Sequence, residues 1–290
     1  MNGEKILVTG ATGLVGSDFI GRYGSKYHVS APLPNELDIA SEPSVRNYFA
    51  AHTFTDVVNF AAYTSVSKAQ EEAQRCLKVN VGGVENILKH LPSHTHFIQI
   101  STEMVFPGTA DDRGPYAENH PLPDPDRLTL VYSQSKNLAE RLLDPQNQRH
   151  AIVRINSPVG PKRFPPKPDY LQGPLERYIV GNLYPLFIDQ WLSLSLIPDV
   201  SESLIKIINE GLTGIFHISA TNTGTAYNII TRFLQKLGHD TSQIKTTSVD
   251  PNRYLQYGGL NPIRTQEKLG MSYGTWQDIE DRLIKDGFTA

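Results

Sequence analysis

Cysteine is almost absent: Cys76 is the only one in 290 residues. A lone thiol has no partner in the chain, which excludes a disulfide-stapled secreted scaffold and points to a reducing, cytoplasmic location. Charge of one sign is scarce too, since 27 Lys and Arg against 30 Asp and Glu leave a net charge of −3. Nucleic-acid binding needs a basic footprint, and none is present. No apolar run nears the roughly 20 residues of a membrane span, so no membrane partner is expected. The first residues, Met1-Asn2-Gly3-Glu4-Lys5, lead straight into an apolar strand and do not resemble a secretory signal. Neither a GxSxG elbow nor a GxxxxGK(S/T) loop occurs, which disfavours α/β-hydrolase and P-loop chemistry. His90, His94 and His96 stand close, but Pro92 breaks helical spacing and no Cys or acid joins them. They read as surface histidines, and no metal is expected.

What is present is alternation. Ile6-Leu7-Val8 is a short, wholly apolar run ending at Gly10, as in a strand buried on both faces. Val15, Phe19 and Tyr23 then recur at helical spacing. A weak strand at 27–30, a helix at 44–51 after Pro43, and a strand at 56–60 follow. Residues 68–91 read as helical with a break at Gly82-Gly83, and 96–100 as a fourth strand. A helix at 133–143 and a fifth strand at 151–155 complete the series. This order predicts an α/β fold, a Rossmann-type doubly wound parallel sheet. After Gly160 the prolines Pro161, Pro165, Pro166, Pro168 and Pro174 mark a loop. Beyond it, helices are expected near 200–210, 226–237, 264–269 and 275–286, with a strand at 214–219. The expected division is a cofactor domain of residues 1–160 plus about 189–219. A smaller mixed α/β substrate lobe would comprise about 161–188 plus 220–290.

Two motifs carry chemistry. Gly10-Ala11-Thr12-Gly13-Leu14-Val15-Gly16 joins the first strand to the first helix, with glycines at every third residue. The first glycine permits a tight turn, the second lets backbone N–H groups approach a pyrophosphate, and the third lets the helix pack on the sheet. Its site on the first strand favours a dinucleotide over a ligand-free turn. No carboxylate ends the second strand to hold a ribose hydroxyl, and no Arg is there to hold a 2′-phosphate. Asp38 comes late for the ribose; it could meet an adenine or cap the helix after Ser41.

The second motif is Tyr132 with Lys136, one turn apart on one helix face. Tyr132 is the only one of the 13 tyrosines with a lysine four residues later. A nearby ammonium is expected to lower the phenol's pKa, suiting it to protonate a carbonyl oxygen as hydride arrives. Ser101-Thr102, at the end of the fourth strand, would share that oxygen. Glu71-Glu72 and Asp111-Asp112 read as solvated charge, Arg154 as half of a structural ion pair before a substrate contact, and Lys162-Arg163 as surface.

With these residues the chain resembles the extended short-chain dehydrogenase/reductase family over essentially its whole length. It is most similar there to dTDP-4-dehydrorhamnose reductases and relatives, including the regulatory β subunit of methionine adenosyltransferase. The segments that carry the resemblance include Leu37-Asp38-Ile39, 58–66 with Lys68, Val79-Asn80, 101–109, Pro115-Tyr116, Tyr132 to Lys136 with Ala139-Glu140, Val153-Arg154, Ile188-Asp189-Gln190 and 214–219. The resemblance implies a catalytic triad of Thr102, Tyr132 and Lys136, with Tyr132 as proton donor, Lys136 also touching the nicotinamide ribose, and both counted among the cofactor-binding residues. It implies a dinucleotide, NADP ahead of NAD, against Gly10, Thr12, Gly13, Leu14 and Val15. Asp38 and Ile39 would meet the adenine and Ala61, Ala62 and Tyr63 the inner ribose, with Asn80 orienting the active-site helix. Val66, Thr102, Glu103 and Ser157 would face the substrate.

Departures from the family pattern stand beside these matches. Glu103-Met104 replaces the usual Asp-Tyr, which argues against a dehydratase because Met104 removes its base. Ser157 stands where reductases commonly place Trp, and Leu260-Asn261-Pro262 replaces an Arg-Pro pair. The reading that results is an NAD(P)-dependent reductase of a carbonyl on a nucleotide sugar. An epimerase of the same family and a non-catalytic dinucleotide-binding regulatory subunit are the alternatives. Substrate identity is open, and a homodimer is one assembly open to the chain.

Overall fold

The computed structural model describes residues 5–144, 146, 149–161, 164 and 167–288. Residues 1–4, the Lys162-Arg163 pair, and Pro165 and Pro166, which were expected in a loop, lie outside the described residues. The chain forms two compact units. One comprises Met1–Pro107, Pro121–Arg154 and Ser201–Phe216; the other comprises Gly108–His120, Ile155–Val200 and His217–Ala290.

The first unit is built on a six-stranded sheet. Its strands are β1 (Lys5–Thr9), β2 (His28–Ser30), β3 (Asp56–Asn59), β4 (His96–Thr102), β5 (His150–Ile155) and Gly214–Ile218, which follows β5 at the edge. The spatial order from that edge is Gly214–Ile218, β5, β4, β3, β1, β2. Pairings among β1 to β4 are parallel, with Thr9 opposite Asn59 and Val57 opposite Phe97. The direction of winding reverses between β1 and β3, so a crevice opens at their carboxyl ends, the usual ligand position in such sheets. Ile6, Leu7, Val8, Val57 and Val58 are fully buried, which is why these strands read as continuous apolar runs.

Helices α1 (Leu14–Tyr23) and α2 (Glu42–Ala51) follow β1 and β2. Phe19 is fully buried, and its ring meets Tyr23 at 5.5 Å and Phe60 at 6.1 Å. Pro43 sits in the first turn of α2, where its missing N–H has no intrahelical partner to lose. The expected break at Gly82-Gly83 is not there. Helix α3 (Val66–Ala69) stops before α4 (Ala73–Leu77), which continues through a π-helical turn, Lys78–Gly82, into α5 (Gly83–His90). Gly83 opens α5, and a side chain there would lie within 2.7 Å of Ile39 Cδ1, so close packing favours glycine at this position. Tight packing, and not chain breaking, accounts for it.

His96 corrects the surface reading of the histidines. It is 6% exposed, at the start of β4, and its Nδ1 lies 3.0 Å from Asp56 Oδ1 on the neighbouring strand. Among the described residues no group of three or more His, Cys, Asp and Glu could hold a metal ion. Nor is any described helix long and apolar enough to cross a membrane.

The second unit has its own apolar core, in which Leu171, Leu175, Leu194, Ile229, Phe233, Ile279 and Leu283 are buried together. Three of its helices are Gln172–Ile179, Ala226–Lys236 and Trp276–Lys285. The last begins with a capping box between Thr275 and Asp278. Pro174, expected in loop, lies in the first turn of Gln172–Ile179, where proline is tolerated. Buried polar groups here are largely tied to backbone: Ser195 Oγ donates to the Ile218 carbonyl at 2.5 Å, and Asp169 accepts from the Gly160, Leu171 and Gln172 amides.

Candidate active site

The loop after β1 has the geometry of a phosphate cradle. Gly10 adopts φ +65°, and a Cβ there would lie 2.5 Å from the Ala61 nitrogen, so only glycine fits. The Gly13 amide closes the turn onto the Gly10 carbonyl at 3.0 Å. Gly13 then caps α1 without any side-chain cap bond, and no acid occupies the first turn. The helix therefore offers unpaired N–H groups and its positive end to an anion, with nothing of the chain's own competing. Thr12 is exposed, while Leu14 and Val15 form the first helical positions. These residues fit a dinucleotide pyrophosphate.

Asp38 is exposed, and Ile39 is buried with its carbonyl accepting from Asn86 Nδ2 at 2.8 Å. Asp38 does not cap α2: Ser41 is the N-cap, and Asp38 Oδ1 accepts instead from the Ala40 amide at 2.9 Å. A short Asx turn thus replaces the expected cap. Ala61, Ala62 and Tyr63 continue from β3 as half-buried loop. Asn80 clamps that loop, accepting from the Tyr63 amide at 2.7 Å and donating to its carbonyl at 3.1 Å. The same Nδ2 donates to Ser135 Oγ at 2.8 Å, so Asn80 also grips the helix that carries Tyr132. It stands in the π-helical turn, a feature often found where one side chain must be re-aimed.

That helix is α6 (Val131–Arg141), and it brings the predicted proton-transfer residues together. The Thr102 hydroxyl lies close enough to the Tyr132 phenol to oppose the rise in its pKa. Lys136, one turn on and buried, donates from Nζ to the Ile100 carbonyl at 2.8 Å. The electrostatics differ from the expectation. Tyr132 has its pKa raised, not lowered: burial dominates, the Cys76 and Glu103 groups add to it, and only the Thr102 hydroxyl opposes. Lys136 is pushed down to about 8, chiefly by burial, with Glu140 and Cys76 opposing. Desolvation sets both directions, disfavouring the charged form of each group. Met104 takes part in this, because it packs with Val66 and Tyr63 against the buried cluster of Ala69, Cys76 and Tyr132. Glu103 is buried, and Val66 opens α3.

Sequence reasoning gave Arg154 a structural ion pair but not its partner. Glu140, one turn beyond Lys136, accepts from Ser101 Oγ and pairs with Arg154 Nη2 at 2.6 Å. Both partners of that ion pair are 1% exposed, so Arg154 is structural, and its guanidinium also lies 4.8 Å from the Phe106 ring centroid. The i,i+4 spacing from Lys136 was a signal for Glu140. Gln99 and Asn59 have no spacing signal at all. Ser157 belongs to the second unit, where it holds a positive φ of 36° and donates to Asn156 Oδ1 at 2.9 Å. A cavity of about 530 Å³ in that unit, between Pro168, Gln172, Arg177 and Phe288, is lined by none of the predicted site residues.

Comparison with known proteins places this geometry. The chain is 30% identical over 288 residues to a dTDP-4-dehydrorhamnose reductase of Streptomyces griseus, covering 89% of each chain. It is 27% identical over 280 residues to the spore coat polysaccharide biosynthesis protein SpsK of Bacillus subtilis, covering 91% of this chain and 95% of that one. In fold it is similar to dTDP-4-dehydrorhamnose reductase from Bacillus anthracis in complex with NADP, with a TM-score of 0.85 over 99% of both chains at 20% identity. It is also similar to UDP-glucose 4-epimerase from Thermotoga maritima, with a TM-score of 0.79 at 20% identity over 97% of this chain and 99% of that chain. The profile of the RmlD substrate binding domain family matches residues 4–286, and the chain belongs to that family.

Proposed function

We propose that the chain is an NAD(P)-dependent oxidoreductase of the extended short-chain type that reduces a carbonyl on a nucleotide sugar. The observation that carries this reading is the grouping of Thr102 at the carboxyl end of β4 with the buried Tyr132 and Lys136 of α6, whose ammonium reaches the Ile100 carbonyl of the same strand. Gly10, Thr12, Gly13, Leu14 and Val15 would hold the pyrophosphate, Asp38 and Ile39 the adenine, and Ala61, Ala62, Tyr63 and Asn80 the ribose side. The dinucleotide, when bound, supplies hydride to the carbonyl carbon.

The chain supplies the proton. A buried phenol with a raised pKa stays protonated at neutral pH, so Tyr132 arrives at the reaction as an acid. As negative charge develops on the carbonyl oxygen, the phenolic proton moves onto it and the Thr102 hydroxyl donates a second hydrogen bond. Lys136, still charged at neutral pH, stabilises the phenolate left behind; in a dry site that attraction is far stronger than in water. Val66, Glu103 and Ser157 are the residues we assign to the substrate side, the first unit to the cofactor and the second to the sugar nucleotide.

Preference for NADP over NAD is supported by the end of β2, where Ser30-Ala31-Pro32 offers no carboxylate to repel a 2′-phosphate. The single buried, unpaired thiol of Cys76 suits a reducing compartment, and the cytoplasm is where this reading places the reaction. Homodimerisation is compatible with it.

The test is direct. The protein is incubated with NADPH or NADH and a panel of dTDP-, UDP- and GDP-ketosugars, and cofactor oxidation and alcohol formation are followed. Cofactor consumption matched by alcohol supports the reductase. Sugar interconversion without net consumption would mark an epimerase. Binding of the dinucleotide with no turnover on any sugar would favour the regulatory reading, for which Met104 and Ser157 speak.

A further inference from the structure

We infer that Gln99 is a positioning residue for Lys136, the last member of a buried relay that ties the loop after β3 to the lysine. The inference rests on the reading of Lys136 given above. The relay crosses three strands of the sheet. The Ala61 amide donates to Thr9 Oγ1 at 3.5 Å, and Thr9 Oγ1 donates to Asn59 Oδ1 at 2.5 Å. Asn59 Nδ2 donates to Gln99 Oε1 at 2.8 Å, and Gln99 Nε2 donates to the Ile100 carbonyl at 2.8 Å. Lys136 Nζ donates to that same carbonyl at 2.8 Å.

The Ile100 carbonyl fixes the direction of every link. A carbonyl can only accept, so Gln99 must present its NH₂ there and its Oε1 to Asn59. Asn59 then presents its NH₂ to Gln99 and its Oδ1 to Thr9, whose hydroxyl donates. The Ile100 oxygen has two lone pairs; Gln99 occupies one and leaves a single, directed place for the ammonium.

Thr9, Asn59 and Gln99 are 3%, 0% and 2% exposed, so water has no route to replace any of these bonds. Their neighbours on the same strands, Leu7, Val8, Val57, Val58 and Ile98, are apolar and buried. The sheet has no need of polar side chains at this level, and burying amides is unfavourable unless all their bonds are made. A fully satisfied network of this kind specifies one arrangement. What it specifies here is the register between the segment assigned to the ribose and the lysine assigned beside it.

The experiment compares Gln99→Glu, Gln99→Leu and Thr9→Val with wild type and Lys136→Met. It measures kcat, KM for both substrates, the pH profile of kcat, and thermal melting. The charged or titratable groups around Lys136 and Tyr132, namely Glu140, Cys76 and Glu103, are the same in all variants. Gln99→Glu keeps the acceptor for Asn59 but sets a carboxylate beside the ammonium, since both side chains reach one oxygen. The alkaline limb of kcat is expected to move up by about one pH unit. Gln99→Leu is expected to lower kcat about tenfold with KM within about twofold, and Thr9→Val to do the same more weakly.

An unmoved alkaline limb in a folded Gln99→Glu protein overturns the inference, as does wild-type kcat in a folded Gln99→Leu protein. If neither Gln99 variant folds, near-isosteric Thr9→Val decides: reduced kcat at unchanged KM supports the relay and wild-type kcat ends it. Lys136→Met separates the two readings. Wild-type turnover in Lys136→Met would overturn both, whereas its loss alongside silent Gln99 and Thr9 variants would sink the relay alone.

Discussion

Two buried ion pairs, one in each unit, show what the interior of each unit is for. Glu140 and Arg154 lie under α6, both 1% exposed, with Ser101 and the Phe106 ring closing the remaining sides. Glu280 in the second unit is equally buried, but its partner Arg232 is 27% exposed and shared with the surface carboxylate of Asp281. The first pair cannot relax towards water and fixes the helix that carries Tyr132 and Lys136. The second can, and burial pushes the Glu280 carboxyl up to about 8, which gives it a neutral form to adopt. Buried charge held without an exit marks the part of the fold where geometry must not drift; buried charge with an exit does not.

Four substitutions break or sharpen that contrast, in descending order of effect. Tyr132→Phe keeps the ring and removes the proton, and turnover with the best sugar of the panel should fall by about 10²–10⁴-fold at unchanged melting temperature. Retention of most activity would end the assignment. Arg154→Met leaves the Glu140 carboxylate buried without its cation, and denaturant unfolding should register a loss of about 3–5 kcal/mol.

Lys136→Met should abolish turnover yet stabilise the fold at neutral pH. The folded-state pKa of this lysine is depressed to about 8 from 10.5, so the unfolded chain binds the proton more tightly between those values. Burial of Lys136 is therefore penalised below pH 8, by about 3 kcal/mol on the linkage scale, and the penalty fades as pH rises from about 8 to 10.5. Unfolding curves of the variant and wild type should converge over that range. If they stay parallel, the depressed pKa is wrong. Arg232→Met should cost the least, about 1 kcal/mol at pH 6, because Glu280 takes up a proton. Its cost should grow as pH passes 8, and a pH-independent effect would show that Glu280 is charged throughout.

The same contrast explains what was legible in the sequence. The first unit announces itself through local rules: Gly10 to Gly16 on a strand-to-helix turn, apolar runs for strands buried on both faces, and Tyr132 with Lys136 one turn apart. Each needs only neighbours in sequence. Misplaced features depended on distant partners: Gly83 packs too closely on Ile39 for a side chain, and buried His96 meets Asp56 across the sheet. The direction of the Tyr132 shift was missed for the same reason, since its burial comes from Cys76, Ala69 and Met104 on other segments. Asn59 and Gln99 are forty residues apart and carry no periodicity, so nothing short of the strand register unites them. In the second unit no short motif states a chemistry, and there sequence reasoning found elements without roles.

The π-helical turn at Lys78–Gly82 has one more consequence. A π turn holds one residue more than the α turn it replaces, and each residue of a helix advances its phase by roughly 100°. The segment before the turn and the segment after it are thereby rotated out of step, so that Asn80 can face Tyr63 and Ser135 while Gly83 and Ile87 face Ile39 and the sheet core. Removing a single residue here would mend the helix and lose the alignment, so the extra residue acts as a key whose tooth is its length.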